Sequence, residues 1–104
     1  MSIQNFVQTA DQLTVQMQDL IGQSKSSDGS NWTRLNCAYC DLHRDVTTFG
    51  AELLAQASVE PQLETVFMRF RAQMNKFEHV RRILAAFASK EFRTEVVPSD
   101  MLYA

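Results

Sequence analysis

Proline and glycine are scarce in this sequence, two and three among 104 residues, which argues against a strand-and-turn architecture whose tight turns lean on both. A disordered chain is excluded as well, because 45% of the residues are hydrophobic and only 21% charged. Cysteine is limited to Cys37 and Cys40. Three residues apart, they close no loop long enough to stabilise a secreted scaffold, and in a reducing compartment they are thiols. No run approaches the roughly 18 apolar residues of a membrane span, and the opening MSIQNFVQTADQ lacks the basic and apolar regions of a signal peptide. The expected location is therefore cytoplasmic. A strong charge of one sign is also missing: the net value is −2, and an isoelectric point near 5.6 does not favour docking on a polyanion.

What is present is helical periodicity. Ile3, Phe6, Val7, Ala10, Leu13, Met17, Leu20 and Ile21 share one face of a first helix over residues 3–21, with Ser2 as N-cap and Gly22 as terminator. Residues 22–31, GQSKSSDGSN, contain no apolar side chain and read as a flexible loop. Trp32, Leu35, Tyr39, Leu42, Val46, Phe49 and Leu53 then alternate steps of three and four, the spacing of a coiled-coil seam, over a second helix at 32–57. Gly50 lies inside it and suggests close packing of a neighbour. Pro61 suits the first turn of a third helix over 61–93, on which Leu63, Val66, Phe67, Phe70, Met74, Phe77, Leu84 and Phe87 recur. Beyond it, residues 94–104 read as a tail, because Pro98 interrupts helical continuation. The class is all-α: one domain of three helices, an αα-hairpin preceded by an N-terminal helix.

The third helix would be about 48 Å long, whereas a compact domain of this length has a diameter of roughly 34 Å. Part of its apolar stripe should therefore meet something outside the chain. With no fourth helix, a second copy completes a bundle most simply, as a twofold homodimer. Residues 69–93 hold seven basic against two acidic side chains, whereas residues 1–68 hold three against eight. Such a division suits antiparallel association or an acidic partner surface. Arg81 and Arg82 are placed to meet Asp41, Asp45 or Glu52 of an antiparallel neighbour.

Chemistry is thinly represented. Cys37, Cys40 and His43 fall at i, i+3 and i+6 on the second helix and are the candidate metal ligands, but a tetrahedral site needs a fourth and His79 is the only other histidine. The simpler expectation for the cysteines is a pair of small core residues. The contexts of His43 and His79 do not match a phosphotransfer histidine, and Glu78 and His79 are adjacent where di-iron bundles need ExxH spacing. Phosphate loops, nucleophile elbows and HExxH motifs are missing too. No catalytic residue, no cofactor and no enzyme activity are expected.

In length, in the three-helix plan and in the stretches LNCAYCDLHRDVTTFGAELL (residues 35–54) and FMRFRAQMNKFEHVRRILAAF (residues 67–87), the chain resembles the QslA-type antiactivators, small helical proteins of Pseudomonas quorum sensing. FRAQMNKF is also similar to part of the TraM antiactivators. The resemblance implies a non-enzymatic homodimer that binds the LasR-like ligand-binding domain of a LuxR-type transcription regulator. It would block the regulator's dimerisation and so prevent DNA binding, without touching nucleic acid or membrane itself. On that reading Leu63, Phe67, Phe70, Met74 and Phe77 form the homodimer interface, while Trp32, Tyr39, Leu42, Met101, Leu102 and Tyr103 face the regulator, an assignment that is open to reversal. The competing readings are a zinc- or thiol-dependent helical regulator built on Cys37, Cys40 and His43, and a secretion-type helical chaperone.

Overall fold

Ser2 sits in extended backbone (φ −77°, ψ 162°) and its hydroxyl accepts the Asn5 amide hydrogen at 3.2 Å, the N-cap that opens α1 (Ile3–Ser26). The computed structural model describes the backbone of residues 2–103 and the side chains of residues 2–89. A short turn leads to α2 (Trp32–Ala57), and a 3₁₀ turn at Pro61–Leu63, with proline in its first position, feeds α3 (Glu64–Tyr103). The protein is all-α; the described residues contain three helices and no strand.

The α2 span coincides with the run of heptad-like spacing, but the other two helices extend further than the sequence expectation. Gly22 does not end α1. It keeps a helical conformation with open space around its α-carbon, because the next turn is held in place: Ser24 is buried and its hydroxyl donates to the Ile21 carbonyl at 2.9 Å. The flexible loop expected over 22–31 shrinks accordingly to residues 27–31, which are tied down locally. The Gly29 amide donates to Ser27 Oγ at 3.0 Å and the Ser30 amide to Asp28 Oδ1 at 2.9 Å. Gly29 takes φ +95° with the Phe87 ring against it, so a side chain there would meet both backbone strain and an aromatic face. At the other end, α3 continues to Tyr103 through Pro98, where the sequence reading begins a tail at residue 94. A single proline removes one backbone bond, that to Thr94, and the flanking turns carry the helix on.

All three helices contribute to one core. Phe6, Ala10, Met17 and Leu20 of α1 pack with Leu35, Tyr39, Leu42, Val46, Phe49 and Leu53 of α2 and with Phe70, Phe77, Val80 and Leu84 of α3, while Leu63 closes one end. Phe49 joins the helices, lying 5.9 Å from Phe6 and edge-on to Phe70 at 5.3 Å. Burial of each such side chain contributes about 1.5–3 kcal/mol. At the opposite end Trp32 Nε1 donates to the Leu84 carbonyl at 2.8 Å, fixing the start of α2 on α3. The shape is elongated, 62 × 22 × 17 Å with a radius of gyration of 18.0 Å, against about 13 Å for a compact domain of this length. The long axis is that of α3, whose 40 residues span about 60 Å.

Candidate interaction surface

Two clefts run along the seam between α2 and α3. The first, near the start of α2, holds about 400 Å³ and is lined by Trp32, Asn36, Tyr39, Cys40, His43, Arg81, Ala85 and Ala88 among others. It owes its room to alanines on α3 facing the α2 turn that starts at Trp32. Tyr39 forms its floor. The phenol ring stacks at 4.8 Å on Phe77, and its hydroxyl is buried with no hydrogen-bond partner. Burial pushes the Tyr39 phenol above its ordinary value, and the Glu78 carboxylate pushes the same way. The Arg81 charge opposes both, standing close without completing a hydrogen bond. At the rim His43 Nε2 lies 2.9 Å from Glu78 Oε1, and Arg81 lies 3.8 Å from the other oxygen of that carboxylate. These side chains are 30–62% accessible, and such solvent-screened pairs contribute at most about 1 kcal/mol each.

The second cleft is a groove at the hairpin end, in two adjoining hollows of about 500 and 490 Å³ that share Leu54 and Phe67. Ala57, Glu64 and Met68 line one hollow, and Gly50, Arg71 and Met74 the other. Gly50 lets the helices approach closely: a β-carbon there would stand 3.3 Å from Met74 Sδ. The surface is apolar where it is most exposed. Leu54 is 52% accessible, Met68 62% and Val59 70%, so three of the four exposed large apolar side chains among the described residues cluster at this end.

The sequence-derived site residues distribute unevenly. Leu63, Phe70 and Phe77, expected at a homodimer interface, are 0–1% accessible and filled by this chain's own core, so they offer no surface to a second copy. Phe67 and Met74 are only partly buried and remain in the groove. Tyr39 and Leu42, expected to face a regulator, are likewise core residues, whereas Trp32 is half-buried at the rim of the first cleft. The side chains of Met101, Leu102 and Tyr103 lie outside the described residues. Cys37 and Cys40 are both exposed, correcting the expectation of small core residues. Cys37 lies off the apolar seam, whereas Cys40 borders the first cleft. No group of three His, Cys, Asp or Glu side chains among the described residues converges on a metal position, so Cys37, Cys40 and His43 are not brought together as ligands. Arg81 pairs with Glu78 on its own helix, and Asp41 and Asp45 are taken by Arg44, at 3.9 and 3.8 Å.

Leu54, Val59 and Met68 are the surface residues that periodicity missed. A signal for two of them was present: Leu53–Leu54 and Phe67–Met68 are adjacent apolar pairs, and neighbours in a helix are turned by about 100°, so one of each pair must leave the core. Among the described residues no helix is long and apolar enough to cross a membrane. No protein-family model, curated protein or solved structure matches the chain.

Proposed function

We propose that this protein acts by binding other proteins rather than by catalysis: a helical homodimer that serves as an antiactivator of a LuxR-type transcription regulator. The observation that carries the interaction reading is the groove, where Leu54, Phe67, Met68 and Met74 leave apolar surface uncovered along the α2–α3 seam. A soluble chain gains by covering such a patch with another helical surface. The same groove supplies the place a fourth element of a bundle would occupy, and so supports self-association. The regulator as partner rests on the resemblance of residues 35–54 and 67–87 to antiactivators. In this reading the cleft bordered by Trp32, Ala85 and Ala88 receives a side chain of the regulator's ligand-binding domain, competing with the regulator's own dimerisation.

Light scattering on the protein mixed with a LuxR-type regulator from the same organism tests this. The expected result is a stoichiometric complex in which the regulator no longer dimerises or binds its promoter. Ala85→Arg, at an exposed position of the cleft, should abolish the complex while leaving the protein's own mass unchanged. Regulator that elutes apart from the protein and still binds DNA would contradict the antiactivator reading.

A further inference from the structure

Resting on the homodimer reading above, we propose a register for it: a second copy lies antiparallel across α3, with the twofold axis between Phe67 and Met68, so that Glu64 of each copy meets Arg71 of the other. Glu64 borders one hollow of the groove and Arg71 the other, on opposite sides of the shared Phe67. Seven residues apart, they lie on one face of α3 but about 10.5 Å from each other along it, too far to pair within a chain. Neither has an ion-pair partner among the described residues. Two opposite, unpaired charges thus bracket an apolar centre at equal distances. A twofold axis at that centre exchanges position 64 with 71 and position 67 with 68, which makes both ion pairs and stacks apolar on apolar.

Neighbouring registers fail on the same residues. An axis one turn further on, at Arg71, would set two guanidinium groups against each other, and an axis one turn back, at Glu64, would oppose two carboxylates. A parallel pairing in register would do both. Two helical turns alone bury less than the roughly 1,200–2,000 Å² of a stable interface. The exposed Leu54 on α2 and Val59 beyond its end widen the patch on each copy.

Cross-linking and charge exchange test the register. In a Cys37→Ser, Cys40→Ser background, Met68→Cys should be joined rapidly into a dimer by a short bismaleimide, whereas Val15→Cys, equally exposed but on α1, should not. Arg71→Glu should weaken the dimer roughly tenfold or more, read by light scattering over a dilution series, and Glu64→Arg with Arg71→Glu should restore it. Circular dichroism on each variant confirms the fold. A wild-type chain that is monomeric at every concentration overturns self-association and the register with it. A wild-type dimer in which Met68→Cys does not cross-link, or in which the double exchange does not restore affinity, overturns the register alone.

Discussion

Tyr39 carries a hydroxyl that the fold buries without giving it a partner. Such a group forgoes its hydrogen bonds to water and gains nothing in return, a cost of about 1–3 kcal/mol. Tyr39→Phe keeps the ring on Phe77 and removes the orphan atom, so urea unfolding at neutral pH should show stability unchanged or raised by up to about 1 kcal/mol. The pH dependence follows from the raised phenol. A group whose folded pKa lies above its unfolded value of about 10 stabilises the fold fully below that value and less as pH rises through the folded pKa. Wild type should therefore lose stability above about pH 10 by a component that Tyr39→Phe lacks. Phe70 makes a different prediction. It was read from the sequence as interface, yet it is 1% accessible inside one chain, so Phe70→Ala should cost about 3–5 kcal/mol of stability whatever the oligomeric state. Periodicity identifies that a side chain is apolar and on the inner face; it does not say whether the atoms opposite belong to the same copy.

Among the elements, α2 was the most legible, because its alternation of threes and fours admits one face and its ends are marked by Trp32 and by Pro61 beyond it. The ends of α1 and α3 were not. Gly22 and Pro98 are local signals, and what decides whether a helix passes them is tertiary: Ser24 buried in the following turn holds α1 together past its glycine. Gly50 was legible in kind, and its meaning is now specific. Gly50→Ala should be near neutral, since the gain of about 1 kcal/mol in helix propensity offsets a shift of the flexible Met74 thioether. Gly50→Leu, by contrast, should wedge α2 from α3 at a cost of about 1–3 kcal/mol, measured by thermal unfolding. At the other end of the seam, Trp32→Phe removes the bond to the Leu84 carbonyl and should cost about 1 kcal/mol. The candidate site was half legible for the same reason as the helix ends. Phe67 and Met74 stood out by spacing, whereas Leu54 and Met68 were hidden because each follows a neighbour that takes the inner position.

For the molecule as a whole, the length of α3 was the informative sequence feature, and the radius of gyration of 18.0 Å bears out an elongated shape. Elongation brings a shortage of self-covered surface. The core is filled by Leu63, Phe70 and Phe77, and what is left over collects at one end as Leu54, Val59 and Met68 beside the half-buried Phe67 and Met74. If that patch is the seat of a second copy, solution mass must depend on it. The decisive measurement is the light-scattering mass of the purified protein, alone and as Met68→Asp, from about 1 to 100 μM. We expect about 24 kDa for wild type, twice the 11.9 kDa of one chain, and a folded monomer for Met68→Asp, whose exposed position leaves the core intact. A wild-type mass of 11.9 kDa throughout, or a dimer indifferent to Met68→Asp, would contradict the assignment of this surface.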